Sequence, residues 1–322
     1  MLKAFAIVSV LTSAAFAQSS SSSAAAATST ANPYIPTGIS QSCTAFLNEL
    51  NTDSSLTSCL SALSTATSPF APGSTVSPTE GTVKTALQSL CSDSIDTACS
   101  ENLIRSKIAA FYTACSSELT TNKVADVIRT YDVLYTLSPL RTSACSKSED
   151  GSWCVMAKTV STSEVSEAVS SSSTLGLAQL LALLYTNNGS ALKRRAEVSA
   201  IVPNMTTYHD SNLPFLFFNP SLDAEALCTS CTRSVLTAYI NFESNIPYAP
   251  GLASSQLLDT QSALYNAITE KCPANFLNNA VQAAGGISQG GLFSGAVSTL
   301  PEHKSLISLA LGAATLAASF AL

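Results

Sequence analysis

Ten cysteines, at positions 43, 59, 91, 99, 115, 145, 154, 228, 231 and 272, lie between two apolar ends of the chain. An even number of cysteines in a chain bound for an oxidising compartment reads as a disulfide framework, and such a framework limits the fold more than any other feature here. Spacing alone leaves the connectivity open. Two local bridges are expected. Cys43 and Cys59 sit at similar heights either side of a tight turn, and Cys145 and Cys154 bracket the polar loop Lys147-Ser148-Glu149-Asp150-Gly151.

The compartment is read from the ends. Residues 1–17 have the form of a secretory signal: Lys3 gives a positive start, Ala4 to Ala14 an apolar run, and Ala15-Phe16-Ala17 a small-x-small cleavage site. That run is well short of the roughly 20 residues a membrane span needs. At the other end, Ser294-Gly295-Ala296 are three small residues in a row, followed by a spacer holding Pro301, Glu302, His303 and Lys304 and then the apolar tail 305–322. A glycosylphosphatidylinositol (GPI) transamidase reads this order of segments. The expected attachment residue is Ser294, within a flexible spacer 285–304, with Gly290 and Gly286 as second choices. The expected location is the extracellular face of the plasma membrane, the cell wall, or both. The partners implied are the outer-leaflet lipid and wall polysaccharide.

Charged residues make up 11% of the chain, against roughly 25% in an ordinary soluble domain. Glycan is expected to keep the surface wet, N-linked at Asn188 and Asn204 and O-linked on the Ser/Thr runs. The net charge of −6 and the scattered basic residues give a nucleic-acid partner no electrostatic support.

Residues 18–37 form a Ser/Ala/Thr-rich arm with nothing to bury, so disorder is expected there. In the N-terminal half, 38–158, apolar residues fall at helical spacing. Cys43, Phe46, Leu47 and Leu50 repeat as Leu56, Cys59, Leu60 and Leu63, with Asp53 a natural N-cap between them. Further helices are expected around Val83 to Cys91, from Glu101 to Ser117 and from Thr121 to Leu137. Residues 159–200 read as an exposed crossing with a short apolar helix, Leu175 to Leu184, and a dibasic pair, Lys193-Arg194, of the kind that Golgi proteases cut. The C-terminal half, 201–284, is expected to pack on the first. Its Arg233-to-Ile240 run echoes Arg105 to Tyr112, and Thr260, Leu264 and Tyr265 echo Thr130, Leu134 and Tyr135. Duplication and two hairpins of like composition both account for this. The expected class is all-α: a disulfide-stapled bundle of helical hairpins with disordered Ser/Thr-rich termini.

Catalytic chemistry has few residues to work with. His303 falls in the spacer, which leaves His209, beside Asp210, as the one histidine of the body; it reads as a loop residue. No Gly-x-Ser-x-Gly elbow accompanies it. Cys228-Thr229-Ser230-Cys231 has redox spacing without the strand context that gives that motif meaning, so structural bridges are expected. The acids Glu49, Asp53, Asp126, Asp132, Asp259 and Glu270 fall where helix caps or solvated faces are expected. Neither a cofactor nor a metal site is implied. One stretch, Leu213 to Pro220, places Phe215, Phe217 and Phe218 between two prolines: a core plug, or the wall of an apolar ligand pocket.

The motifs Cys43 to Leu63, Phe111 to Cys115, Tyr131 to Leu140, Cys228 to Arg233, Tyr239 to Glu243 and Pro247 to Leu252 resemble an uncharacterised family of fungal secreted, GPI-anchored, cysteine-rich surface proteins. The resemblance runs from about Ser40 to Gly286 and implies a surface setting without implying an activity. The expected function is therefore a noncatalytic surface or wall protein, structural, adhesive or shielding. Binding of an apolar ligand such as a lipid or sterol is the alternative, and a wall-modifying hydrolase the second.

Overall fold

A computed structural model of the protein describes residues 35–70, 76, 79–156, 185–187 and 201–277. Residues 1–17, expected to be a signal, most of the expected arm 18–37, the apolar segment 175–184, Asn188, Lys193-Arg194, the expected spacer 285–304 with Ser294, and the apolar tail lie outside the described residues.

The first half opens as a helical hairpin. α1 (Gln41–Thr52) ends and α2 (Ser54–Thr67) begins at Asp53, whose backbone N–H donates to Leu50 O and whose side chain accepts from Leu56 N at 2.8 Å. One residue thus closes one helix and caps the next. Thr79 caps α3 (Glu80–Leu90), and the short α4 (Asp93–Ala98) follows. Ser100 caps α5 (Glu101–Ser116), which runs into a π turn, Ser117–Thr121. That turn uses up residues expected to open the next helix, so α6 runs from Ala125 to Ala144 instead of Thr121 to Leu137. Pro139 sits inside α6 with no N–H to offer the carbonyl four residues back.

α6 is buried around most of its circumference, from Val127 to Ala144, because α5 packs on one side of it and a helix of the second half on the other. A helix that neighbours cover on every side has no polar stripe to betray its orientation.

β2 (Ile201–Pro203), which opens the second half, pairs antiparallel with β1 (Tyr185–Asn187) from the segment between the halves, a small ribbon in an otherwise helical fold. α7 (Met205–Asp210) follows, capped by Asn204, then α8 (Ala224–Leu227), α9 (Ser230–Asn245) and α10 (Gln261–Lys271). α9 lies along α6, and a single core runs through both halves. The echo between the halves does not make a repeated unit. α5 and α9 both pack on α6, whereas Leu264 and Tyr265 belong to α10, which packs on α8.

All ten cysteines are paired: Cys43–Cys115, Cys59–Cys99, Cys91–Cys145, Cys154–Cys231 and Cys228–Cys272. Neither expected local bridge forms. Cys43 lies on the face of α1 that packs against α5, where it meets Cys115, while Cys59 faces the α4 end and meets Cys99. Packing partners, and not proximity along the chain, choose the pairs. The loop between Cys145 and Cys154 is held by its backbone: Lys147 pairs with Trp153, Ser148 N–H donates to Ser152 O at 2.9 Å, and Cys154 N–H to Ser146 O at 3.0 Å. That leaves Cys145 for Cys91 and Cys154 for α9. Cys228 and Cys231 enter two different bridges, so the Cys-x-x-Cys spacing is structural.

Candidate functional site

The most unusual chemistry in the body centres on Asp132, which has no solvent exposure. The expectation of a solvated helix face fails for this residue because α6 is covered on both sides. Its carboxylate is met by the segment that joins α9 to α10, residues 246–260. Tyr248 donates its phenol hydroxyl to one oxygen, and Gln256 N–H donates to the other at 2.9 Å. Neighbouring side chains of α6 hold the same segment: Tyr135 donates to Ile246 O at 2.6 Å, and the Tyr248 ring packs edge-on against both Tyr131 and Tyr135, with centroids 5.5 and 5.0 Å apart. Lys123, just before α6, donates to Pro250 O at 3.0 Å and to the Ser254 hydroxyl. Gly251 takes φ of +79° at the turn, a region open to glycine at no steric cost.

Burial pushes the Asp132 carboxyl up to about 6, against the pull of its hydrogen bonds to Tyr248, Gln256, Ser255 and Leu257. A carboxyl raised into that range is the usual mark of a general acid. Here the group is sealed from solvent, and what it grips is its own chain. Burial raises the phenols of Tyr131, Tyr135 and Tyr248 as well, all three well above the tyrosine range.

The same segment is held at its far end by His209. This residue lies in the last turn of the short helix α7 instead of in a loop, and it sits between two carboxylates, with Nδ1 2.9 Å from Asp210 and Nε2 3.2 Å from Asp259. The hydrogen bond to Asp210 raises its pKa, partial burial opposes that, and the Asp259 charge adds to the rise.

Phe215, Phe217 and Phe218 are 0, 5 and 1% exposed. They are core packing and not the wall of an open pocket, with the Phe215 ring 4.6 Å from that of Tyr239. Every residue from Ser211 to Phe218 is buried, and three of them, Asn212, Leu216 and Phe217, adopt positive φ. Left-handed backbone costs a non-glycine residue roughly 1–2 kcal/mol. Asn212 organises the turn: its side chain donates to Phe218 O at 2.7 Å and accepts from Thr260 at 2.5 Å, while its carbonyl takes N–H bonds from Phe215 and Phe217, each at 3.0 Å.

Of the remaining acids named from the sequence, Glu49 and Glu270 are exposed, and two others have separate roles. Asp53 is the cap described above and pairs with Lys107 of α5. Asp126 pairs with Arg129 at 2.9 Å on α6. The structure does not bring these to Asp132. A cleft of about 80 Å³ lies elsewhere, between Asp96, Glu101, Ser138 and Arg141. Its guanidinium is already engaged by Leu90 O at 3.0 Å and by Asp96 at 2.5 Å. Among the described residues no group of three or more His, Cys, Asp or Glu is arranged to hold a metal ion, and no helix is long and apolar enough to cross a membrane.

The class of protein this defines is a helical, disulfide-rich fold with a buried polar latch. Residues 27–180 match the model of a family described as a domain of unknown function, DUF7729. The match covers α1 to α6 and reaches past Cys154; the motifs of the second half lie beyond it. No curated protein and no solved structure matches the chain.

Proposed function

We propose that the chain is a noncatalytic surface protein, secreted and held outside the plasma membrane by a GPI lipid, whose stapled helical head serves a structural, adhesive or shielding role. The observation that carries this reading is the pairing of all ten cysteines within one fold, because such frameworks persist in oxidising compartments. The signal-like start and the small-residue, spacer and apolar-tail order at the end agree with it. The use of charge also agrees: Asp53 with Lys107, Arg141 with Asp96 and Asp132 with the Tyr248 hydroxyl each bind the protein's own segments together.

Treatment of intact cells with a phosphatidylinositol-specific phospholipase, followed by mass spectrometry of the released protein, tests this. The expected product starts near Gln18, ends at Ser294 with a glycan-phosphoethanolamine remnant, and contains five disulfides. Recovery of the peptide 305–322 from the mature protein, or of free thiols at these cysteines, overturns the proposal.

A further inference from the structure

Two titratable groups hold the same segment, Asp132 at Tyr248 and Gln256 and His209 at Asp259, and the chemistry of each favours acid. Asp132 is a buried carboxyl whose donors, the Tyr248 phenol, the Gln256 and Leu257 N–H groups and the Ser255 hydroxyl, are all neutral. A buried carboxylate without a paired cation is costly, and neutralising it removes that cost. When the carboxyl takes up a proton, Tyr248 can turn its hydroxyl to accept it, since a phenol both donates and accepts, while Gln256 keeps donating to the other oxygen. His209 has a carboxylate on each ring nitrogen, Asp210 on Nδ1 and Asp259 on Nε2. Only the imidazolium carries two N–H groups, so both contacts exist together only in the charged ring.

We propose that residues 246–260 form an acid-tightened strap, which closes on α6 and α7 when Asp132 is neutral and His209 is charged, and loosens as the pH rises toward neutrality. The groups facing Asp132 are Tyr248 and the Ser255 hydroxyl from the strap and Tyr131 on α6, with Tyr112 of α5 acting on Tyr131. One helical turn away, Tyr135 feels Glu243 of α9 and Arg105 of α5. Lys123 donates to Pro250 O and to the Ser254 hydroxyl, between the two points where Asp132 holds the strap. The groups facing His209 are Asp210 and Asp259. The direction of the raised Asp132 and His209 pKa values agrees with the sign. A group whose folded pKa lies above its unfolded value contributes stability that is present at low pH and lost as pH climbs through the folded value, which for Asp132 is about 6. This strap is independent of where the protein resides, so its failure leaves the surface reading intact.

Hydrogen–deuterium exchange of the unmodified protein at pH 7.5 and pH 4.5, with rates corrected for intrinsic exchange, provides the test. Protection of residues 246–260 is expected to rise about tenfold at the lower pH, while α1 and α2 do not share the rise. Asp132→Asn is expected to hold the Gln256 end at the protected level at both pH values, and His209→Gln to abolish the acid gain near Asp259 alone. No acid gain in the strap, or an equal gain in α1 and α2, overturns the proposal. Carbon-13 titration of the Asp132 carboxyl in the unmodified protein decides the matter even where a variant fails to fold. A midpoint near 6 supports the strap, and one near 4 overturns it.

Discussion

Cys154 is bonded to Cys231 across 77 residues of sequence, and of the five bridges it alone joins the segment after α6 to the helix α9. The other four close within one half or the other. Scission anywhere between residues 157 and 200, including after Lys193-Arg194, therefore leaves two chains joined by one disulfide and by the packing of α6 on α9.

That relationship gives the first prediction. A molecule cut at Lys193-Arg194 by a dibasic-specific protease is expected to run as one band on a denaturing gel without reductant and as two with it. In the Cys154→Ser, Cys231→Ser double variant the cut protein is expected to give two bands under both conditions.

The bridges also set stability. Removing Cys43–Cys115, which closes a 72-residue separation, by a double change to serine is expected to cost about 2–5 kcal/mol. Denaturant unfolding of the purified variant, compared with the parent under nonreducing conditions, measures it.

The phenylalanine plug makes a third prediction. Phe215 has no exposure, so Phe215→Ala is expected to cost about 3–5 kcal/mol by loss of burial and creation of a cavity. A side chain lining an open pocket would cost far less. Thermal and denaturant midpoints of the single variant distinguish the two.

Asn212 separates backbone from side-chain effects. Asn212→Ala loses the bonds to Phe218 O and Thr260 and also forces alanine to φ of 52°, with an expected cost of about 2–4 kcal/mol. Asn212→Gly loses the same bonds without the steric penalty and is expected to be about 1 kcal/mol less destabilised. The difference between the two variants is the readout.

Asp53 responds to acid with the opposite sign to Asp132. Burial alone would raise its carboxyl, but the Lys107 ammonium, the Ser55 hydroxyl and the Leu56 N–H together outweigh that and hold it at about 2. A folded value below the unfolded one means stability that is present at neutral pH and lost as pH falls from about 4 toward 2. Asp53→Asn is expected to flatten unfolding free energy across that window, as followed by denaturant titrations at successive pH values.

The sequence carried the helical hairpin of α1 and α2 well, because Asp53 is a cap and the apolar residues on both sides keep strict helical spacing. α3 was visible for the same reason. The disulfide map was not, since nearness along the chain says little about which helix faces pack, and it was packing on α5 and α4 that sent Cys43 and Cys59 apart. Asp132 reads as a wet-face residue because an acid in a helix most often lies there. The signal that could have corrected this was its setting between Tyr131 and Tyr135 on a helix rich in large side chains all round, which leaves no wet face for it. His209 showed its neighbour Asp210 in the sequence, but Asp259, fifty positions away, became its second partner only through the fold.

The Cys228–Cys272 bridge has a mechanical consequence when combined with Cys154–Cys231. Tension applied at the two ends of the body would pass through sulfur from Cys154 to Cys231, along the three peptide bonds back to Cys228, and through sulfur again to Cys272. α9, the strap and α10 then hang in a slack loop beside the taut line, so a pulled molecule would keep its latch, and the pH response built on it, under no load.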